Sequence, residues 1–306
     1  MWRVGTQALR KTVESRICSA QRVSLVPTMG ALHDGHASLI RRSRDDGHYT
    51  VASVFVNPTQ FGPNEDFDKY PRTVDEDVDI AVKAGADLVW CPELQDLYPC
   101  QPAAGTGKTR VGVEGTMHVD AGPIGNELCG KSRPQFFAGV CTVVLKLFNL
   151  SGAHVAYFGE KDWQQLVIIR QMVREFHLGV DVKGCPIARD PDGLAMSSRN
   201  RYLQPEQREH ALSLWRTVQR ARQAFANGER SREQLLAMLH ASWEEEALVS
   251  SGALELDYLE LRDPETLAQA PVLAPETRLI LAAWLGANRV RLIDNAPLVE
   301  ALDEDR

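Results

Sequence analysis

Over residues 1–186, short apolar segments alternate with segments of helical periodicity, and this alternation limits the fold more than any other feature. Val51–Val56 is rich in β-branched and aromatic residues, which is typical of a buried strand. Asp162–Phe176 has the apolar spacing of an amphipathic helix. An alternation of this kind predicts a parallel sheet with helices on both faces, the α/β class. Further strands are predicted at Arg22–Val26, Ala86–Trp90 and Ala153–Phe158, and further helices at 36–44, Thr73–Ala84 and Gly139–Leu150.

The pattern changes after residue 186. Two long helical segments come first, and Ser231 and Gln234 have the spacing of a capping box. Short strand-like segments separated by turn residues follow. This order predicts a smaller α+β domain over residues 187–306. The helices are predicted at Pro205–Phe225 and Ser231–Leu248, and the strands at Leu254–Leu261, Arg278–Trp284 and Val290–Asp294.

Composition excludes several classes of protein. The net charge is −7 and the basic residues are scattered, which argues against a nucleic-acid partner. Since no apolar run reaches about 18 residues, no membrane span is predicted. The six cysteines include no C-x-x-C pair, which is typical of free thiols in a reducing compartment. The basic N-terminus resembles a transit peptide only weakly, because Glu14 and folded-looking sequence follow, so a cytoplasmic location is expected.

The segment Pro27–His36, the histidine loop, lies where a predicted strand ends and a helix begins. Gly30 and Gly35 permit close backbone approach, and a helix N-terminus offers N–H groups to phosphate. His33 and His36 could donate hydrogen bonds to phosphoryl oxygens and stabilise charge during attack on a phosphate. A metal site or two surface histidines on a turn are the alternatives for the H-x-x-H spacing alone.

Two further loops follow predicted strands. In the amide loop, Asn57–Pro63, amide side chains suit a substrate with hydroxyl and carboxylate groups; the alternative is a turn in which they cap backbone. The segment Phe158–Gln165 begins a helix, and it places Lys161 and Gln165 toward the same predicted cleft, with Lys161 able to pair with a phosphate. Ordinary solvated charge at a helix start is the alternative there.

A fourth string, Asp192–Asn200, contains consecutive hydroxyls followed by Arg199. Because arginine stays charged and binds oxyanions in a bidentate way, this string predicts a mobile phosphate-binding loop. A serine cap beside a surface arginine is the alternative. The string Gly105–Thr109 looks like the end of a P-loop, but Pro102 stands where that motif requires glycine, so a linker is expected instead.

Taken together and in this order, the four strings closely resemble the pantoate–β-alanine ligase family. The resemblance extends along nearly the whole chain and is densest over Pro27–Tyr202. It implies a Rossmann-like fold of the H-x-G-H nucleotidyltransferase type. It also implies ATP-dependent condensation of (R)-pantoate with β-alanine through a pantoyl adenylate, with AMP and pyrophosphate as products. Residues 1–186 would then bind ATP and pantoate, and residues 187–306 would form a lid carrying the Ser-Ser-Arg loop, Ser197–Arg199.

The resemblance also assigns residue roles. His36, His33, Lys161 and Arg199 are the expected catalytic residues. Asn57, Gln60 and Gln165 should hold pantoate. Magnesium should accompany the phosphates, with Asp77 as its one expected protein ligand, either directly or through water, and the family implies a homodimer. The expected ATP contacts are Pro27, Thr28, Met29, Gly30, His33, His36, Gly159, Lys161, Asp162, Ala188, Met196, Ser197, Ser198 and Arg199.

One string departs from the family pattern. The family has Arg-Pro-Gly-His-Phe before the Gly-Val of the following helix, whereas this chain has Gln135 and Phe136 in place of the glycine and histidine. An apolar ring cannot replace the hydrogen bonds of an imidazole, so the departure bears on the loop conformation and the pocket. Since the other strings are intact, retained activity is expected. The alternatives are a nucleotidyltransferase that stops after transferring AMP, and a non-catalytic nucleotide-binding protein.

Overall fold

The computed structural model describes residues 3–63, 65–99, 117–249 and 253–300. The P-loop-like string Gly105–Thr109 and Cys100 lie outside these residues. The chain divides into two compact units, the first formed by Met1–Glu160 with Ile168–Pro186 and the second by Lys161–Val167 with Ile187–Arg306. The predicted boundary at residue 186 keeps Lys161–Val167 with the sheet domain. No pattern in the sequence indicates that this segment groups with the second unit.

The first unit is built on a six-stranded sheet in the order β1-β4-β3-β2-β5-β6. Every strand pair in it is parallel. The central strands β2 and β3 are almost entirely buried, as strands covered by helices on both faces must be. The confirmed α/β class thus follows from the alternation in the sequence. The strands are β1 (Arg3–Val4), β2 (Val23–Thr28), β3 (Tyr49–Val54), β4 (Leu88–Trp90), β5 (Val155–Gly159) and β6 (Asp181–Cys185).

Helices connect these strands and pack on the sheet. Gly85 caps the C-terminal end of the third helix, and its φ of 104° is the left-handed conformation that glycine adopts freely. Thr73 precedes this helix but makes no side-chain cap, because its hydroxyl donates to Asp77 across 3.3 Å instead. The helices are α1 (Thr6–Cys18), α2 (Asp34–Asp45), α3 (Val74–Ala84), α4 (Leu94–Leu97), α5 (Cys129–Ser132), α6 (Phe136–Ser151) and α7 (Trp163–Glu175).

The second unit contains two long helices, α8 (Pro205–Ala226) and α9 (Arg232–Val249), and an antiparallel sheet in the order β7-β8-β9. Its core joins apolar residues from the helices and the sheet, including Leu214 and Leu281, which are at most 1% exposed. The predicted α+β character is confirmed. The strands are β7 (Leu254–Arg262), β8 (Arg278–Leu285) and β9 (Val290–Pro297).

The structure bears on two expectations from composition, the free thiols and the lack of a membrane span. Cys18, Cys91, Cys129, Cys141 and Cys185 are free thiols. In the part of the chain that the structure describes, no helix combines the length and apolarity that crossing a membrane requires.

Candidate functional site

Three parallel strands of the first unit end at one edge of the sheet. β2 ends at Thr28, β3 at Val54 and β5 at Gly159, and β2 pairs with both of the others. Loops that follow parallel strands gather at this edge. The histidine loop and the amide loop make contact there, because the Gln60 amide donates to Met29 Sδ across 2.9 Å.

The histidine loop turns sharply after β2. Pro27 and Thr28 end the strand, and the Thr28 hydroxyl accepts a hydrogen bond from the Gly30 N–H at 3.2 Å. Gly30 has a φ of 81° and Ala31 a φ of 50°. Ala31 therefore occupies a left-handed conformation that costs a residue with a Cβ about 1–2 kcal/mol, so other contacts must stabilise the turn.

Asp77 of α3 provides those contacts. Its carboxylate accepts the N–H of Ala31 at 3.1 Å and of Leu32 at 2.7 Å, and its side chain is 1% exposed. A Cβ added to Gly30 would lie 2.8 Å from Asp77 Oδ2, so only glycine allows this approach. Burial raises the pKa of Asp77, while the two N–H groups partly oppose the shift. Asp77 thus holds the backbone that leads to the histidines.

The two histidines form a cap at the start of α2. His33 Nδ1 accepts the Gly35 N–H at 3.1 Å, and His36 Nδ1 accepts the His33 N–H at 3.4 Å. Their ring centroids are 4.2 Å apart. Because each Nδ1 is an acceptor, a neutral ring carries its proton on Nε2. Two adjacent Nε2–H groups at a helix N-terminus are suited to bind phosphoryl oxygens.

The amide loop is held by a buried hydrogen-bond network. Asn57 Oδ1 accepts from the Tyr98 hydroxyl at 2.8 Å and from Thr59 Oγ1 at 3.0 Å. Asn57 Nδ2 donates to Gln60 Oε1 at 3.1 Å and to the Gly139 carbonyl at 3.2 Å. Asn57 and Gln60 are 1% and 7% exposed. The network holds the Gln60 amide in place. It also identifies which end of the Asn57 amide is the accepting oxygen and which is the donating nitrogen.

Two members of this network were not found from the sequence. Burial raises the pKa of Tyr98 to about 12, so its hydroxyl stays protonated and donates at neutral pH. Tyr98 lies after α4, in a segment without a motif. Gly139 lies inside an apolar helix, where an isolated glycine signals close backbone approach. A Cβ there would lie 2.7 Å from the carbonyl carbon of Thr59. The isolated glycine is therefore the one sequence signal that points to this contact.

The departure from the family pattern lies beside the amide loop. Gln135 has a φ of 67°, the left-handed conformation that glycine adopts without strain. Arg133 pairs with both carboxylate oxygens of Glu65 at 2.7 and 2.6 Å and donates to the Gln60 carbonyl at 3.3 Å. Its guanidinium lies 3.7 Å from the centroid of the Phe136 ring. Phe136 therefore packs on the arginine that contacts the Gln60 backbone.

The remaining predicted residues belong to the second unit, apart from Gly159. Lys161 and Asp162 lie in a 3-10 turn, with Lys161 Nζ 4.0 Å from Asp162 Oδ2. Gln165 follows in the first turn of α7 and is partly buried. The Lys161 side chain is 19% exposed, which leaves it accessible to a ligand.

The predicted phosphate-binding string also lies in the second unit. Met196 N–H donates to the Ala188 carbonyl at 2.9 Å. Ser197 caps a 3-10 turn, Ser198–Tyr202, and its hydroxyl accepts the Arg199 N–H at 3.3 Å. The serine-cap alternative is therefore observed for Ser197. A cap of this kind uses the backbone of Arg199 rather than its guanidinium, so it is compatible with anion binding by that side chain.

Among the described residues, no three His, Cys, Asp or Glu side chains lie together as a group that could bind a metal ion such as magnesium. Asp77 is buried and uses both carboxylate oxygens for backbone N–H groups. Because both of its oxygens hold loop N–H groups, Asp77 does not fit direct coordination of magnesium.

A parallel sheet with an imidazole pair at a helix N-terminus after a strand defines a nucleotide-binding protein of the Rossmann type. The family model described as pantoate-beta-alanine ligase matches residues 4–297, and the chain belongs to that family. It is 42% identical to a pantothenate synthetase of Thermotoga petrophila, over 95% of this chain and 97% of the relative. It is 45% identical to that of Geobacter sulfurreducens, over 92% and 93%.

Solved structures agree with this assignment. A pantothenate synthetase from Thermus thermophilus superposes with a TM-score of 0.82 at 37% identity, covering 98% of this chain and all of the other. A pantoate–beta-alanine ligase from Francisella tularensis, complexed with beta-gamma ATP and beta-alanine, gives 0.73 at 31% identity, covering 97% and 98%. The family and fold expected from the four strings are confirmed.

Proposed function

We propose that this protein condenses (R)-pantoate with β-alanine at the expense of ATP, releasing AMP and pyrophosphate. The observation that carries the proposal is the His33–His36 pair, whose Nδ1 atoms both accept backbone N–H groups. That arrangement leaves Nε2–H as the donor on each neutral ring, the atom needed to bind phosphate.

In the first step, a pantoate carboxylate oxygen bonds to the α-phosphorus of ATP. The bond from that phosphorus to the bridging oxygen breaks, and pyrophosphate leaves. We assign His33 and His36 to the phosphoryl oxygens, where they stabilise the developing charge. Lys161 and Arg199 are assigned to the same task, and Gln60 to the pantoate. Fixing both reactants removes much of the entropic barrier.

In the second step, the β-alanine amine attacks the acyl carbon of the pantoyl adenylate. The carbon–oxygen bond to AMP breaks and the nitrogen loses a proton, giving the amide. An adenylate makes this possible because AMP is a far better leaving group than the oxygen of a free carboxylate.

The other assignments are proposals on the same footing. Asn57 and Gln165 assist Gln60 in holding pantoate. Magnesium would accompany the phosphates of ATP and offset their negative charge, with any contribution from Asp77 made through water. The protein is a homodimer and cytoplasmic. The ATP contacts are proposed to be Pro27, Thr28, Met29, Gly30, His33, His36, Gly159, Lys161, Asp162, Ala188, Met196, Ser197, Ser198 and Arg199.

The test is a coupled assay for AMP and pyrophosphate, with each substrate omitted in turn. Full AMP release should require ATP, pantoate and β-alanine together. His36→Ala should lower kcat by two to three orders of magnitude, roughly the loss of one oxyanion donor. Replacement of an exposed histidine of α9, His240→Ala, serves as control. A folded His36→Ala protein with normal kcat would remove His36 from the mechanism.

The departure at Gln135 and Phe136 favours another candidate, a non-catalytic nucleotide-binding protein, which would release no AMP with any combination of substrates. A nucleotidyltransferase that stops at the adenylate is a further alternative. Under that function an adenylated product would accumulate and β-alanine would not change AMP release. Under the ligase proposal, β-alanine increases AMP release and pantothenate appears in equal amount.

A further inference from the structure

Two adjacent residues of β9, Asp294 and Asn295, lie in the sheet of the second unit and carry no motif. Both are buried, at 2% and 1% exposed. Neither residue type is common in a buried strand interior. A buried carboxylate and a buried amide need partners, and theirs lead to two separate chain segments.

Asn295 holds the segment that contains Lys161. Its Nδ2 donates to the Lys161 carbonyl oxygen at 2.8 Å, and its Oδ1 accepts from Arg278 Nη1 of β8. The Arg278 guanidinium in turn lies 3.3 Å from the centroid of the Trp163 ring, and Trp163 Nε1 donates to the Pro264 carbonyl at 3.0 Å. The segment is thus fixed to the second unit at two residues, one on either side of Asp162.

Asp294 holds the segment that precedes the Ser-Ser-Arg loop. Its two carboxylate oxygens accept from Arg189 Nη1 and Nη2 at 2.7 and 2.8 Å, a bidentate pair. Arg189 also donates to the Gly193 carbonyl at 3.0 Å and pairs with Ala195 in a β-bridge. Its guanidinium lies 4.0 Å from the Trp215 ring. The turn that ends one residue before Met196 is therefore fixed to β9.

The division of the chain agrees with these contacts. Lys161–Val167 groups with the second unit, although the residues on both sides of it group with the first. The hydrogen bond from Asn295 and the stacking of Arg278 on Trp163 give the physical reason. Asp294 and Asn295, neighbours on one strand, therefore link two segments that are separated in the chain by Ile168–Pro186 of the first unit.

We propose that Asp294 and Asn295 are positioning residues that hold the two phosphate-binding segments of the enzyme on one rigid strand. Asn295 sets the backbone at Lys161, and Asp294 sets the turn before Met196–Arg199. The role in catalysis rests on the proposed function, in which Lys161 and Arg199 bind ATP. The role in holding the two segments in place is independent of the proposed function, since it follows from the hydrogen bonds of Asp294 and Asn295.

The test uses Asn295→Asp and Asp294→Asn in the full chain. Asn295→Asp keeps an acceptor for Arg278 but removes the donor to the Lys161 carbonyl. Asp294→Asn keeps the shape but removes the charge that pairs with Arg189. Asn227→Asp, at the exposed C-terminal end of α8, is the matched control for added charge, since its side chain only accepts a hydrogen bond from Gln223 and aspartate keeps that acceptor.

Hydrogen exchange provides the first readout. Asn295→Asp should raise exchange about tenfold in the peptide around Lys161–Trp163, the size expected when one buried hydrogen bond is lost. Asp294→Asn should raise it over 189–199 instead. Unchanged exchange in both peptides, matching Asn227→Asp, would overturn the proposal. If Asn295→Asp does not fold, Asn295→Ser and Asp294→Asn are measured in its place.

ATP-dependent kinetics provide the second readout. Each variant should raise KM for ATP about tenfold while KM for pantoate changes less than about twofold. Equal effects on both substrates, or none, would contradict a positioning role. If exchange rises but the wild-type protein makes no pyrophosphate, the proposed function fails and the anchoring stands.

Discussion

At the scale of single residues, backbone conformation and burial determine what each side chain near the histidine loop can do. Asp77 is surrounded by the N–H groups of a left-handed turn, and Gln135 occupies a conformation that glycine would adopt more easily. Neither property can be inferred from residue type, since an aspartate in a helix and a glutamine before one usually face solvent.

Replacing Asp77 with asparagine should separate a loop-holding role from a metal-binding role. The amide of asparagine has one acceptor oxygen in place of two, so one of the two loop N–H groups loses its partner and the free energy of unfolding should fall by about 1–3 kcal/mol. KM for ATP should rise while the magnesium concentration at half-maximal rate stays the same. Urea unfolding and magnesium titration measure both.

Asp75→Asn is the control for this substitution, since Asp75 lies on the same helix and its side chain is 99% exposed. A variant of Asp77 with normal stability and a raised magnesium requirement would instead support Asp77 as a metal ligand.

Replacing Gln135 with glycine should stabilise the protein. Glycine relieves the left-handed strain of about 1–2 kcal/mol but loses about 0.5–1 kcal/mol through backbone entropy. A net gain of roughly 0.5–1 kcal/mol is expected from thermal unfolding. Gln135→Ala removes the same side chain without relieving the strain, so it should not gain stability; an equal gain in both variants would show that the side chain, not the backbone, is responsible.

At the scale of elements, α6 positions the amide loop. The helix comes so close to the turn Pro58–Gln60 that Gly139 has no room for a Cβ. The Gly139 carbonyl accepts a hydrogen bond from Asn57 Nδ2. Arg133, which lies just before the helix, donates a hydrogen bond to the Gln60 carbonyl. The helix therefore contributes to the proposed pantoate site through its backbone rather than its side chains.

Replacing Gly139 with alanine should disturb this packing. The added Cβ would lie 2.7 Å from the carbonyl carbon of Thr59, so α6 or the turn must shift, at about 1–3 kcal/mol. Better helix propensity returns about 1 kcal/mol. We expect a net loss of stability and a raised KM for pantoate, measured by denaturation and steady-state kinetics.

Gly179→Ala is the control, because a Cβ at Gly179 meets nothing within 4 Å. A Gly139→Ala protein with an unchanged KM for pantoate would show that α6 does not position Gln60.

At the scale of the whole molecule, an ionic network joins the end of α2 to the strands β5 and β6. Asp46 accepts from the Tyr157 hydroxyl at 2.6 Å, Lys183 Nζ at 2.8 Å and Arg42 Nε at 3.0 Å. Burial by itself would raise the pKa of Asp46, but these hydrogen bonds outweigh it and lower the pKa from 3.8 to about 2. The network makes stability depend on pH.

Stability should fall in acid because of Asp46. A carboxylate with a lowered pKa in the folded state contributes fully above its unfolded pKa near 4. The contribution disappears as the pH falls from about 4 to about 2, and it amounts to about 2 kcal/mol. Asp46 is 20% exposed, so solvent screening is limited. The free energy of unfolding in urea should be compared at about pH 6 and about pH 3, on either side of the unfolded pKa.

Asp46→Asn should be less stable near neutral pH and should lose less on acidification than the unmodified chain. An identical loss between the two pH values in both proteins would assign the acid sensitivity to other carboxylates.

The sequence by itself determined the α/β class, the smaller α+β domain, the family and the strings that hold the candidate site. Apolar periodicity is local, and so are loop strings such as Pro27–His36, so both can be recognised without a fold. Element ends were less certain: the first central strand was expected to end at Val26 and ends at Thr28, because pairing with β3 extends it.

Only the tertiary structure decided which residues support those strings. Asp77 meets Ala31 across 46 positions, Tyr98 meets Asn57 across 41, and Asn295 meets Lys161 across 134. It also decided that Lys161–Val167 groups with the second unit. Contacts of this kind arise when packing brings distant strands and helices together, and no local pattern in the sequence encodes a hydrogen bond to a partner so far along the chain.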